Sequence, residues 1–183
     1  MTTLLLARHG ETDWNREGRW QGWADPPLND LGRAQARALA ETLRAVRFDA
    51  VYSSDLRRAH ETAELVAGPH AVPVVTDAGL REIDVGSWSG LTRAEIDARF
   101  GPGTVHPDGE TRDQHAVRVL AAVERLARAH PEGRVLVVTH GGTIRALRSH
   151  AIGHVDHPIP NCSVLELRFL DERLVGGRGM PAT

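Results

Sequence analysis

Leu4-Leu5-Leu6-Ala7-Arg8-His9-Gly10-Glu11 is a short apolar run that breaks off into an Arg, a His and a Gly. Such a run, bounded by polar residues, fits a buried strand. A strand that delivers Arg and His together at its end can build a site there. The Gly lets the backbone approach a ligand closely. Arg is a fixed, bidentate clamp for phosphate. His offers a nitrogen nucleophile near neutral pH and can itself be phosphorylated. The combination points to phosphoryl transfer through a phosphohistidine. On its own, Arg8-His9-Gly10-Glu11 fits a surface turn with two polar residues equally well, and the rest of the chain must decide.

Working outward, two further polar signatures follow candidate strands. Phe48 to Ser53 reads as a second strand and runs into Ser54-Asp55-Leu56-Arg57-Arg58. Arg134 to Thr139 contains the continuous apolar run Val135-Leu136-Val137-Val138, the pattern of a parallel strand covered on both faces, and runs into His140-Gly141-Gly142. Helical spacing appears over 31–46, with Asn29 and Asp30 as caps, over 55–67, ended by Gly68-Pro69, over 92–100 and, most clearly, over 112–130. A helix from Gly142 to about Ile152 follows the Val-rich strand. Val72 to Thr76 is a further strand. Ser163 to Phe169 and Arg173 to Val175 suit a hairpin turning at Asp171-Glu172, and 176–183 reads as a frayed tail. Strands alternating with helices predict an α/β fold: a three-layer α/β/α sandwich on a mostly parallel sheet with an antiparallel edge strand, as a single domain over 1–183. In such sheets ligands bind at the carboxyl ends of the strands. Adjacent strands would bring all three polar signatures into one pocket.

Composition narrows the classes. The 183 residues are 41% hydrophobic and 25% charged with a net charge of -2, an ordinary globular balance that selects neither nucleic acid nor membrane. All 22 basic residues are Arg, so Schiff-base and P-loop lysines are excluded. One cysteine, Cys162, precludes an intrachain disulfide framework, and no basic-then-apolar leader opens the chain; both lead to a cytoplasmic expectation. Oligomeric state is left open.

The chain resembles the histidine phosphatase superfamily, also called the phosphoglycerate mutase-like family. The resemblance rests on five ordered blocks between residue 3 and about residue 169. They are Leu6-Ala7-Arg8-His9-Gly10-Glu11-Thr12 with Asn15; Pro27-Leu28-Asn29 with Gly32 and Gln35-Ala36; Ser53-Ser54-Asp55-Leu56-Arg57-Arg58-Ala59 with Thr62-Ala63; Leu80-Arg81-Glu82-Ile83 with Gly86, Trp88 and Gly90; and Val138-Thr139-His140-Gly141-Gly142. It implies His9 as nucleophile, with its second ring nitrogen held by a backbone carbonyl, and Arg8 and Arg58 as phosphate-binding arginines. It implies His140 as a hydrogen-bond donor to a phosphoryl oxygen, and Glu82, ahead of Asp84, as the group that protonates the leaving oxygen and then activates water. Adjacent helical side chains diverge by about 100°, so Arg57 should face away where Arg58 faces in. Asn15, Gln21, Gly22 and Gly141 fall where the family lines its phosphate pocket.

The family holds phosphatases and mutases on one site. Phosphoglycerate mutases carry a longer, basic insertion after the Glu block, whereas the stretch between Phe100 and Arg112 here is short, has no Arg and contains Glu110. The resemblance therefore implies a metal-independent phosphomonoesterase without a cofactor, acting on a small phosphorylated metabolite. A phosphoglycerate mutase, or a phospho-ligand binding module that has lost catalysis, are the alternatives. Arg19, Arg81, Arg93 and Arg112 could meet an acidic substrate group. Trp14, Trp20, Trp23 and Trp88 read as rim or core packing rather than cavity walls. His150, His154 and His157 lack a completing carboxylate or Cys for a metal. Cys162 reads as a small buried residue, and His60 and His115 as surface residues.

Overall fold

The computed structural model describes residues 1–153 and 157–177. The first apolar run forms β1 (Thr2–Arg8). It is apolar at every position from 4 to 7 because both faces are covered: Leu4 and Leu6 enter one core layer, Leu5 and Ala7 the other. On either side of it lie β4 (Arg134–Thr139), parallel to it, and β5 (Val164–Leu170), antiparallel to it. With β2 (Ala50–Ser53), β3 (Val74–Thr76) and β6 (Arg173–Gly176) they form a six-stranded sheet of order β3-β2-β4-β1-β5-β6.

The α/β architecture is as expected, with one refinement. The strand that runs against the rest, β5, is not the edge. It is covered by β6, its hairpin partner, which pairs antiparallel to β5 and so runs with β1. The hairpin turns at Asp171 and Glu172, both at positive φ.

Helices α2 (Asp30–Leu43) and α3 (Arg57–Ala67) pack on one face through Leu39, Leu43, Ala59, Ala63 and Val66. Helices α5 (Arg112–Ala129) and α6 (Gly141–Ile152) cover the other through Val119, Val123, Leu126, Ile144 and Leu147. The turn α1 (Asp13–Arg16), helix α4 (Arg93–Phe100) and the segment between β3 and α4 stand beyond the carboxyl ends of the strands. There Val85, Trp88 and Ile96 form a small separate core.

Element ends follow local chemistry. Asn29 caps α2 by accepting from the Gly32 N–H at 2.8 Å. Thr92 and Thr111 start α4 and α5 with capping boxes completed by Glu95 and Gln114. Helix α3 begins at Arg57, two residues later than the apolar spacing implies. Leu56 is still extended, and the Asp55 carboxylate is committed to Arg81 at 2.6 and 2.8 Å. The chain reaches its second strand only at Ala50 and its third only at Val74, both inside the expected ranges. The expected tail at 176–183 begins with the end of β6, and 178–183 lie outside the described residues, as does His154.

Candidate active site

Parallel pairing of β1 with β4 sets Arg8 beside Thr139, and the His9 N–H donates to the Thr139 carbonyl at 2.9 Å. The register therefore brings His9 and His140 together at the strand ends, their ring centroids 5.2 Å apart. Both are buried. Arg58 reaches the same place from α3 with 1% exposure, while its neighbour Arg57 points out to solvent, as helical geometry requires.

The loop after β1 is held by close backbone packing. A Cβ on Gly10 would strike the Gly32 carbonyl, and a Cβ on Gly32 would strike the Glu11 carbonyl. Both positions need Gly for approach rather than for dihedral freedom. Thr62 links the loop to α3: its oxygen accepts from the Gly10 N–H at 3.0 Å and its hydroxyl donates to the Arg58 carbonyl at 2.7 Å. Asn161 donates to the His9 carbonyl at 2.9 Å.

His9 Nδ1 lies 2.6 Å from the Gly10 carbonyl, which can only accept. The proton is thereby placed on Nδ1, and Nε2 keeps its lone pair. Burial, then the charges of Arg58 and Arg8, hold His9 well below the usual imidazole range, so the ring stays neutral. His140 is held down in the same way, by burial first and then Arg58. Its Nε2 is 2.9 Å from Ser54 Oγ. That oxygen also accepts from the Leu56 N–H at 3.3 Å, and its own hydrogen has His140 Nε2 as a neighbouring acceptor. A Ser54 hydroxyl that donates to Nε2 puts the His140 proton on Nδ1, a buried atom with no hydrogen-bond partner.

Arg8 and Arg58 share that feature. Arg8 Nη1 donates to the Ile159 carbonyl at 2.6 Å, and Arg58 donates to the carbonyls of Ala24 and Gly22 at 2.7 and 2.9 Å. The Nε of each is buried and unpartnered. Burial lowers both guanidinium groups, Arg58 to about 10, and leaves them charged at neutral pH. Gly22, at φ +50°, packs where a Cβ would meet Val85, and its carbonyl is one of the two that aim Arg58.

Glu82 follows a short 3-10 turn (Ala78–Leu80) and crosses to the start of α6. Its Oε2 accepts from the Gly142 N–H at 2.8 Å and its Oε1 from its neighbour Ile83 at 2.9 Å. Glu82 thus takes up one of the open N–H groups of that helix terminus. The His140 side chain does not cap α6.

Arg8, His9, Asn15, Gln21, Gly22, Arg58, Glu82 and Gly141 all line one cleft of about 350 Å³, and His140 lies buried beside His9. Asn15 is partly spent, since its Oδ1 accepts from the Thr12 N–H at 3.1 Å to complete the cap of α1. Gln21 Oε1 accepts from the Thr12 hydroxyl at 3.2 Å. Trp20 lines the cleft, Trp88 is buried in the small core, and Trp23 donates to the Glu82 carbonyl at 2.8 Å. Arg19, Arg81 and Arg93 are ion-paired with Glu17 and Glu95, with Asp55, and with Asp97 respectively.

Three residues lacked a legible signal. Ser54 sits in a recognised block, but its role as partner of His140 depends on β2 lying next to β4. Arg145, one turn along α6 from Gly141, also lines the cleft and has no ion-pair partner among the described residues. His115 is a correction. Its place near a helix start implied the surface, yet it is 4% exposed, with Nε2 3.1 Å from Thr143 Oγ1. Cys162 is half-buried, and burial pushes its thiol up to about 12, so it is no thiolate at neutral pH.

A neutral imidazole with a free nitrogen, buried cations and a carboxyl group at one strand-end cleft define a phosphoryl-transfer class of site. A sequence model of the histidine phosphatase superfamily (branch 1) matches residues 4–176. The chain belongs to that superfamily and is an enzyme of the histidine phosphatase type. It is 42% identical to the metal-independent phosphoserine phosphatase of Arabidopsis thaliana, over 80% of this chain and 67% of that protein. It is 38% identical to a 2,3-bisphosphoglycerate-dependent phosphoglycerate mutase of Methylobacterium sp., over 86% and 84% of the two chains. Its fold superposes on mycobacterial glucosyl-3-phosphoglycerate phosphatase complexed with VO3 with a TM-score of 0.85 at 34% identity, covering 94% of this chain and 95% of that one.

Proposed function

We propose that this enzyme is a metal-independent phosphomonoester hydrolase that acts on a small phosphorylated metabolite through a phosphohistidine at His9. The observation that carries the reading is the free Nε2 of a buried, neutral His9 beside the unpartnered buried donors Arg8 Nε, Arg58 Nε and His140 Nδ1. Buried donors without partners cost free energy unless a ligand completes them. An oxyanion suits all three, and a structural relative at 34% identity is described with VO3.

In this reading Nε2 attacks phosphorus in line while the ester P–O bond breaks, and the arginines with His140 stabilise charge on the equatorial oxygens. Glu82 gives its proton to the departing alkoxide. The resulting carboxylate takes a proton from the water that attacks the N–P bond, which regenerates His9 and releases phosphate. Metal independence is supported by the printed name of the Arabidopsis relative. The mutase alternative is favoured by the Methylobacterium relative. Against it stands the segment between α4 and α5. It is short, carries no Arg, and is tied back to the Glu82 loop through Asp108 and Glu110.

The test is product analysis with 3-phosphoglycerate, phosphoserine and sugar phosphates in excess chelator, with His9→Ala as control. Free phosphate from the wild type alone is expected, with a base-stable, acid-labile phosphoryl label on the protein after rapid quench. Conversion to 2-phosphoglycerate with little free phosphate establishes the mutase instead. Restoration of a lost activity by a metal overturns metal independence, and turnover by His9→Ala overturns the phosphohistidine.

A further inference from the structure

His115 is a buried titratable side chain that the phosphoryl-transfer reading leaves unused. It stands on α5 three residues before Arg118, so the two project from one helix face. Arg118 Nη2 donates to the Glu82 backbone carbonyl at 3.0 Å, and His115 Nε2 lies 3.9 Å from Glu82 Oε1. One face of α5 thus addresses both the backbone and the carboxyl group of the same residue.

The hydrogens can be placed. The Thr143 hydroxyl donates to the Arg81 carbonyl at 3.0 Å, so its oxygen is left to accept from His115 Nε2 at 3.1 Å. Burial holds His115 below the usual imidazole range, despite the opposing pull of Glu82. It is therefore a neutral ring with its hydrogen on Nε2. At 3.9 Å this N–H makes no hydrogen bond to Glu82, but the ring nitrogen stands beside Oε1, which accepts from the Ile83 N–H. Oε2 accepts from the Gly142 N–H, and both carboxyl oxygens lie against Gly142, which lines the cleft together with Glu82.

We propose that His115 is a positioning residue for Glu82: its ring on α5, hydrogen-bonded to Thr143, backs the Oε1 side of the carboxyl group and holds it at the cleft. The inference rests on the reading of Glu82 as proton donor. The Glu82 proton passes to the ester oxygen as its bond to phosphorus breaks, the bonding pair stays on that oxygen, and the proton lost from attacking water returns to the carboxylate.

The experiment compares an alkyl phosphate, whose leaving group needs a proton, with p-nitrophenyl phosphate, whose leaving group does not. His115→Leu is expected to lower kcat on the alkyl phosphate about 10- to 100-fold, the range for loss of a supporting contact to a catalytic group. KM and the aryl rate should be little changed. His115→Gln, which keeps a donor, should recover most of the loss. In a Glu82→Gln background His115→Leu should add nothing further, since both act through one group. Equal losses on both substrates, a full alkyl rate in His115→Leu, or additivity with Glu82→Gln would overturn the inference. If Glu82→Gln itself loses both substrates equally, the proton-donor reading fails first and takes this inference with it. Should thermal melts show His115→Leu unfolded, Thr143→Val carries the test: it removes the ring's acceptor and should give the same selective loss on the alkyl phosphate, whereas equal losses overturn the inference.

Discussion

His9 and His140 are two imidazoles in one buried site, and the hydrogen of one answers to a backbone carbonyl while that of the other answers to a serine hydroxyl. The Gly10 carbonyl can only accept, so it fixes the His9 hydrogen on Nδ1. With Ser54 as donor to His140 Nε2, that hydrogen sits on Nδ1, which has no partner. Ser54→Ala removes this control and leaves the ring free to carry its hydrogen on Nε2, away from the ligand. It should lower kcat about 10- to 100-fold, in the range for outer contacts that orient a functional histidine, with the fold intact by circular dichroism. An unchanged kcat would refute the tautomer assignment. Arg58 holds its place by donating to the carbonyls of Ala24 and Gly22. Lys carries the charge but not the planar fork. Arg58→Lys should therefore cost at least about 100-fold in kcat/KM, and near-wild-type kinetics would show that charge alone suffices. At this scale the residue types at the site were legible, because Arg, His and Glu flanking apolar runs have few structural uses. Ser54 and His115 were not legible in their roles, since a Ser in a turn and a His near a helix start are ordinary surface residues until their neighbours are known.

The elements meet the site through close approaches that a single methyl group would disrupt. The loop after β1 lies against the N-terminus of α2 at Gly10 and Gly32, where an added Cβ would meet backbone rather than a movable side chain. Gly32→Ala should lower stability by roughly 1–3 kcal/mol, the usual cost of forcing backbone apart in a packed region, and should also displace His9. Denaturant unfolding alongside kcat measures both, and loss of neither would show the loop to be compliant. Arg118 of α5 binds Glu110 bidentately at 2.6 Å and donates to the carbonyls of Gly79, Arg81 and Glu82. It is a strut between α5 and the Glu82 loop. Glu110→Gln removes the charge of that strut and should slow turnover more than it weakens substrate binding; a pure KM effect would contradict this. The helices and strands themselves could be read from apolar spacing to within a few residues. The errors fell where a side chain outside the element decided its end, as Asp55 does when it pairs with Arg81 ahead of α3.

For the molecule as a whole, the buried histidines set the acid limit of stability. His9, His140 and His115 are all held below the ordinary imidazole range by burial. The unfolded chain protonates its histidines below about pH 6.5, while the folded chain resists. The unfolded state then binds more protons, so stability is full above about pH 6.5 and falls as pH drops toward the folded-state values, by up to about 1.4 kcal/mol per pH unit for each histidine. The carboxylates held below their ordinary range, such as Asp55 beside Arg81, lose their contribution at lower pH still. Urea unfolding at pH 7.5, 6 and 5 should therefore show a decline that begins in the histidine window, and His140→Asn should make it shallower. Equal stability at all three pH values would mean that these rings are protonated in the folded protein.

The sequence by itself determined the α/β class, most of the element order and the chemical identity of the residues at the site. Apolar runs covered on both faces, helical spacing and the Arg-His, Arg58 and His140-Gly-Gly signatures are local properties that need no knowledge of partners. Only the tertiary structure decided which residues touch. The order β2-β4-β1 and the register of β1 on β4 bring Ser54, His140 and His9 into contact across 86 and 131 residues of chain. The packing of α5 on the Glu82 loop turns His115 inward. Hydrogen positions, burial and the pull of neighbouring charges are set by those non-local contacts, and so were beyond the reach of any local pattern.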